Sequence, residues 1–267
     1  MLIMSEDISI LTQKAKNAAT LRIFLDYDGT LADFAHSPDM ILPDPQIILL
    51  IEDLVSSPGV YPAIISGRRL AHMQKLLPLK GLLLGGTYGI EMQLPNGDLY
   101  TRIPFEQVRP TIEKLLPLWR ELIVKTTGFY LEDKGWALAL HARFADPSES
   151  IMVMTSARHI AQAQKPGSNF LLSGNSQFLE LAPIEANKAM AVQLVLNEMT
   201  PKDSLIIYLG DDEKDEEAFV KILAAEGYAV RVSAKPVETR AQYQIEGPKQ
   251  VRAWLDNLLA ARETKIG

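Results

Sequence analysis

Short apolar runs that stop at turn-forming or acidic residues, alternating with stretches of helical periodicity, predict an α/β protein. The predicted architecture is a doubly wound parallel sheet with a smaller α+β domain inserted into it. Three observations carry that prediction. Leu21-Arg22-Ile23-Phe24-Leu25 reads as a buried strand and ends at Asp26. Leu205-Ile206-Ile207-Tyr208-Leu209, far along the chain, ends the same way at Gly210-Asp211-Asp212. Between residues 104 and 183 the order changes to helix, strand, strand, helix, strand, strand, the pattern of a small sheet with its helices on one face. The expected division is 1–103 and 184–267 for the two parts of the core domain, with 104–183 as the insertion.

Each element follows from local pattern. Pro45 to Ser56 repeats apolar residues at helical spacing, and Pro45 suits the first helical position. Ala63-Ile64-Ile65, ending at Ser66-Gly67, and Leu82-Leu83-Leu84, ending at Gly85-Gly86, read as two further strands. Within the insertion, Thr111 to Val124 predicts a helix kinked at Pro117. Tyr130–Asp133 and Trp136–Phe144 predict one strand pair, Ser148–Ala163 a helix, and Phe170–Ser173 with Gln177–Leu181 a second pair. Lys188–Met199 and Asp215–Ala225 read as helices, and Tyr228–Val232 as a fifth core strand.

Composition narrows the function. The 267 residues exceed what one small core needs, and the 47% apolar share leaves material for a large core and a smaller one. The net charge of -6 and the lack of a Lys/Arg-rich run argue against wrapping nucleic acid. No apolar stretch approaches the ~18–20 residues of a membrane span. Cysteine is absent, which excludes disulfides and thiolate metal sites. Met1 to Ile10 carries Glu6 and Asp7 and lacks a basic start followed by a long apolar run, so no signal peptide is expected and a cytoplasmic location is.

Chemistry concentrates at four places. Asp26-Tyr27-Asp28-Gly29-Thr30-Leu31 puts two carboxylates where a strand ends, the edge at which ligands bind in open α/β sheets. A carboxylate can attack phosphorus, and paired carboxylates can hold Mg2+. Asp-Gly is also a common turn pair. A calcium loop beginning at Asp26 fails, because its sixth and twelfth positions hold Leu31 and Ser37 instead of glycine and an acid. Gly210-Asp211-Asp212-Glu213-Lys214-Asp215 crowds acids after a second strand. A helix start accounts for Asp215, Glu216 and Glu217. It accounts poorly for Asp211 and Asp212, whose charges repel unless a cation lies between them. Ser66-Gly67-Arg68 offers a hydroxyl and a free backbone N–H that can cradle a phosphate oxygen, or is a simple turn. Lys188, at a helix start, suits an anion, or is merely solvated.

Taken in order, Asp-x-Asp-Gly-Thr, Ser, Lys and Gly-Asp-Asp-x-x-Asp resemble the haloacid dehalogenase superfamily of phosphatases over nearly the whole chain. The resemblance implies a Rossmann-like core with an inserted cap. Asp26 would be the nucleophile, and Asp28 the acid that protonates the leaving oxygen and later activates water. Ser66, Gly67 and Lys188 would hold the phosphoryl oxygens. Asp26, Asp211 and the Asp28 carbonyl would bind Mg2+, with Asp212 and Asp215 supporting them.

The insertion narrows the resemblance. Leu131-Glu132-Asp133-Lys134-Gly135-Trp136-Ala137-Leu138-Ala139-Leu140-His141-Ala142-Arg143 and Leu179-Glu180-Leu181-Ala182-Pro183 are similar to the cap of trehalose-6-phosphate phosphatases. Glu132 and Lys134, two apart on a strand, would share a face and grip sugar hydroxyls. Trp136 would extend that face if Gly135 leaves the strand intact, and Glu180 would add an acceptor. Arg68 would also meet substrate. The implied partner is a small sugar phosphate: trehalose 6-phosphate, or another glycosyl phosphate such as glucosylglycerol or glycosyl-glycerate phosphate. A phosphosugar sensor without hydrolysis is the reading from another class. Three residues depart from the family pattern: Tyr88 stands in place of histidine, Ala142 of tyrosine and Lys214 of threonine.

Overall fold

A computed structural model describes residues 7–34 and 41–266. Most of the leader reading at Met1 to Ile10, and Ser37 of the rejected calcium loop, lie outside the described residues. The described residues form two compact units, one of residues 7–34, 41–100 and 187–266, the other of residues 101–186.

The larger unit begins with α1 (Ile8–Asn17), β1 (Leu21–Leu25), α2 (Pro45–Ser56), β2 (Val60–Ile65), α3 (Leu70–Leu76), β3 (Leu83–Gly86), β4 (Glu91–Gln93) and β5 (Leu99–Thr101). The smaller unit holds α4 (Phe105–Ile123), β6 (Tyr130–Asp133), β7 (Leu138–His141), α5 (Pro147–Ala163), β8 (Phe170–Gly174) and β9 (Phe178–Pro183). The chain then returns with α6 (Lys188–Met199), β10 (Leu205–Gly210), α7 (Glu213–Ala224), β11 (Tyr228–Val232), β12 (Tyr243–Ile245) and α8 (Pro248–Ile266).

The large sheet runs β12-β11-β10-β1-β2-β3-β4-β5. It is parallel from β12 to β3, and β4 pairs antiparallel to β3. Alternation along β1 explains why the strand is apolar throughout. Ile23 and Leu25 join a core with α1, α2 and α8, through Leu11, Leu50 and Leu255. Phe24 points the other way, into a core with Val192 of α6 and Phe219 of α7. A strand covered on both faces has no polar side to show. Truncating Ile23 or Phe24 to alanine should cost about 2–5 kcal/mol. The chain moves outward from β1 through β2 and β3, and outward in the opposite direction from β10 through β11 and β12. The order therefore reverses between β1 and β10, which places the ligand edge of the sheet at the carboxyl ends of those two strands.

Caps fix the helix starts that border this edge. Asn187 accepts from the Ala189 and Met190 N–H groups to begin α6. Asp212 caps α7 by accepting from Lys214 and Asp215, while the Asp215 carboxylate accepts from the Asp212 N–H, closing a reciprocal capping box.

The smaller unit is the sheet β6-β7-β9-β8, antiparallel throughout. Val108, Ile112, Leu115 and Trp119 form the buried stripe of α4, and the Trp119 indole N–H donates to the Ala157 carbonyl of α5 at 2.9 Å. α4 runs from Phe105 through both Pro110 and Pro117, so it starts earlier than its periodicity predicts. Among the described residues, no helix is long and apolar enough to cross a membrane.

Candidate active site

β1 delivers Asp26, whose N–H still donates to the Leu209 carbonyl at 3.0 Å and so continues the ladder with β10. The chain then turns sharply: the Gly29 N–H donates to Ala32 at 2.7 Å, and Gly29 has φ 78°. A Cβ on Gly29 would stand 2.2 Å from an Asp211 carboxylate oxygen, so glycine is required here twice, for its backbone and for the approach of Asp211. Thr30 Oγ1 donates to Asp211 at 3.3 Å.

Lys188 binds this group together. Its Nζ lies 2.9 Å from Asp26, 2.7 Å from Asp215 and 4.0 Å from Asp212. Asp215 is fully engaged: one oxygen accepts from Lys188 and from the Tyr208 hydroxyl at 2.7 Å, the other from the Asp211 and Asp212 N–H groups at 3.0 and 3.1 Å. A Cβ on Gly210 would collide with that carboxyl at 2.3 Å.

Burial pushes the Asp26 carboxyl well above the usual carboxylate range against the pull of Lys188, and the charges of Asp215, Asp212 and Asp211 add to the push. Asp211 is pushed up to about 7 by burial and by Asp215 and Asp212. Burial works against the Lys188 ammonium, but Asp215 and Asp26 outweigh it and hold the proton there. Oxygens from Asp26, Asp211 and Asp215 lie within 4.8 Å of one another. Hard oxygen donors whose mutual repulsion raises their proton affinity fit a divalent metal ion. The side chain of Asp28 is outside that group.

Asp28 faces Arg68 instead. The Arg68 Nε and Nη2 fork onto the two oxygens of Asp28, both at 2.6 Å, and Nη1 lies 3.2 Å from His72 Nδ1. Ser66 is buried, and its Oγ accepts from the Arg68 N–H at 3.2 Å. Asp26, Ser66, Gly67, Arg68, Lys188, Asp211, Asp212 and Asp215 therefore all belong to the larger unit and gather at the strand ends.

Glu132, Lys134 and Glu180 gather separately, in the smaller unit. Glu132 pairs across β6–β7 with Ala139, and Ala139 across β7–β9 with Glu180, so all three share one face of the sheet, with the small Ala139 between two acids. β6 ends at Asp133, and Lys134 lies in the turn that follows. Even so, its Nζ reaches Glu180 at 2.7 Å and Glu132 at 3.9 Å. His141 Nε2 lies 3.0 Å from Glu132. Burial raises the proton affinity of Glu132, but Lys134 and His141 outweigh it and hold the carboxyl below its usual range. Gly135, at φ 79°, breaks the strand, and Trp136 packs edge-on against Phe105, 5.0 Å between ring centroids, so the tryptophan is buried and does not extend the strand.

Sequence reading missed His141 and Tyr208, the partners of Glu132 and Asp215. A signal for His141 existed: in a hairpin that pairs Glu132 with Ala139, a residue two beyond Ala139 falls on the same face. Tyr208 reads only as an apolar strand residue.

With this geometry in view, the family comparison is decisive: the model of the trehalose-phosphatase family matches residues 24–249. The chain belongs to the trehalose-phosphatase family. It is a phosphoric monoester hydrolase of the haloacid dehalogenase fold. It is 27% identical to trehalose-6-phosphate phosphatase of Escherichia coli, over 96% of this chain and 92% of that protein. It is 26% identical to trehalose-phosphate phosphatase B of Arabidopsis thaliana, over 92% of this chain and 68% of that protein. The fold matches the C-terminal domain of C. albicans trehalose-6-phosphate phosphatase with a TM-score of 0.83 at 22% identity, covering 96% and 98% of the two chains.

Proposed function

We propose that this phosphatase hydrolyses trehalose 6-phosphate to trehalose and phosphate through a phosphate ester on Asp26, with Mg2+ as the metal. The observation that carries the reading is the Asp26 carboxylate held at 2.9 Å by Lys188 beside Asp211, at the sheet's switch point. An Asp26 oxygen attacks phosphorus, and the bond from phosphorus to the sugar oxygen breaks in line with it. Asp28 leaves the Arg68 fork, takes up a proton from solvent, gives it to the departing oxygen, and then takes one from the water that attacks the ester. Ser66, the Gly67 N–H and Lys188 hold the three equatorial oxygens. Arg68 steers Asp28 and meets the leaving sugar. Mg2+, held by Asp26, Asp211 and the Asp28 carbonyl, would neutralise charge on the phosphoryl group. Asp212 and Asp215 act through others: both cap α7, and Asp215 fixes Lys188.

The insertion, expected at 104–183, is proposed as the specificity cap. Glu132, Lys134 and Glu180 are charged groups on one face, suited to gripping several hydroxyls of a neutral disaccharide. A panel of sugar phosphates assayed for phosphate release with Mg2+ tests the reading. The expected result is trehalose 6-phosphate turned over about two to five decades better than glucose 6-phosphate, the size of two or three lost hydrogen bonds to charged groups. A stronger preference for another glycosyl phosphate would replace the named sugar and keep the mechanism. No release from any phosphomonoester would overturn both.

A further inference from the structure

Two residues beside the reacting cluster, Tyr88 and Lys214, touch each other. The ammonium of Lys214 lies over the ring of Tyr88, 3.6 Å from its centroid. Tyr88 is buried and has φ 58° and ψ 29°, next to Thr87 at φ 47°. Consecutive left-handed residues other than glycine are uncommon and persist only where their surroundings enforce them. Here the enforcing bonds run to the loop after β2. The Tyr88 N–H donates to the Ser66 carbonyl at 2.8 Å, and the Thr87 N–H to the Arg68 carbonyl at 2.7 Å. The ring of Tyr88 then fills the space beside Gly67, where a Cβ would stand 2.7 Å from its Cε1. Lys214 is itself anchored, its N–H donating to Asp212 at 2.9 Å in the cap of α7. One chain of contacts thus joins the loops that follow β2, β3 and β10.

We propose that Tyr88 and Lys214 form a positioning pair that holds the Ser66–Gly67 backbone in the shape that receives a phosphoryl group. This rests on the reading of Ser66 and Gly67 as the phosphate cradle. The Tyr88 N–H fixes the Ser66–Gly67 peptide through the Ser66 carbonyl, and its ring packs against the face of Gly67. An ammonium over that ring is attracted to its face and keeps it down. The pair sets a flat aromatic in the loop after β3 beneath a cation in α7 that rests on it.

The test uses p-nitrophenyl phosphate as substrate and inorganic phosphate as competitive inhibitor, neither of which carries a sugar. Lys214→Met should raise KM and the phosphate inhibition constant about three- to tenfold, with kcat within about twofold. Lys214→Arg should restore most of the loss. In a Tyr88→Leu background, Lys214→Met should add less than about twofold, because the ring it rested on is gone. Tyr88→His, whose ring gives an ammonium little to rest on, is the second background should Tyr88→Leu fail to fold. A Lys214→Met protein with unchanged KM and phosphate inhibition overturns the pair. So does a full Lys214→Met loss in either Tyr88 background, which would mean that the charge acts alone. The sugar panel decides the trehalose 6-phosphate reading separately. If the unaltered enzyme releases phosphate from nothing, calorimetric binding of inorganic phosphate with Mg2+ takes the place of kinetics, and an equal Kd for the Lys214→Met protein overturns the pair.

Discussion

The molecule buries two clusters of charge, and they are built on opposite principles. In the larger unit, Lys188 is a single ammonium among Asp26, Asp211, Asp212 and Asp215. Burial first and the neighbouring carboxylates second push the carboxyls of Asp26 and Asp211 up, while at Asp212 Lys188 and the hydrogen bonding to Asp215 outweigh burial and hold it below its usual range. In the smaller unit, Lys134 and His141 face Glu132 and Glu180, and Glu132 is pulled down. On the proposed reading, a cation and a phosphoryl group complete the first cluster. The second sets one ammonium and one imidazole against two carboxylates, and on the proposed reading it meets sugar hydroxyls. Burying charge is costly in both places. On that reading the first cluster serves reaction and the second recognition.

The largest effect should come from the reacting cluster. Asp26→Asn, nearly isosteric, should lower turnover of every phosphomonoester by more than about 10³-fold, since an amide is a poor nucleophile. Near-normal activity in a folded protein free of deamidation would break the comparison at its centre. Chelation of metal should stop the unaltered enzyme in the same way, and full activity after stripping would remove the cation from the account. Asp28→Asn should cost about 10²-fold, the usual contribution of a general acid and base.

Stability should separate Asp211 from Glu132 more subtly, because the pH slopes of these two groups have opposite signs. Asp211 has a folded pKa of about 7 against a reference of 3.8. The folded, metal-free protein therefore holds a proton that the unfolded chain has released, and stability should fall as pH rises from about 4 to about 7. Asp211→Asn should flatten that slope, and Mg2+ should raise Tm more at pH 8 than at pH 5. Glu132 behaves the other way. Its folded pKa lies below the reference value of 4.5, so its contribution is present above that pH and is lost as pH falls through the folded value. Glu132→Gln should remove this smaller acid-side loss. Thermal melts across pH, with and without Mg2+, read both slopes. A shared sign would contradict the contrast.

Much of the fold was legible because burial on both faces leaves an unmistakable apolar run, as at Leu21–Leu25, and because Asp-Gly and Gly-Asp-Asp mark where such runs end. Some elements escaped: the helices α1 and α8 near the two ends, and the shortest elements. α3 spans seven residues, and β12 and the β4–β5 hairpin have three-residue strands, too little for any periodicity to register. The residue types at the site were legible for the same reason as the strands, since carboxylates after a buried strand call for an explanation. Their pairing was not. The capping box of Asp212 and Asp215 is a local pattern, but nothing local says that Arg68 forks onto Asp28 or that Asp215 also holds Lys188. Those contacts depend on strands that lie far apart in sequence and side by side in the sheet. The two-residue spacing of Glu132 and Lys134 led to the right neighbours by the wrong route: the strand stops at Asp133, and the turn, not the pleat, brings Lys134 back to Glu180.

The most direct test of the division between reaction and recognition is one ratio. Glu132→Ala should be assayed on trehalose 6-phosphate and on p-nitrophenyl phosphate, with Mg2+ present, and kcat/KM compared with the unaltered enzyme on each. Loss of one or two hydrogen bonds to a charged group should cost about 10- to 10³-fold on trehalose 6-phosphate. The p-nitrophenyl phosphate value should stay within about twofold, because that substrate has no sugar to hold. Equal losses on both substrates would contradict the account, making Glu132 a structural member of its cluster and leaving the smaller unit without its role in recognition.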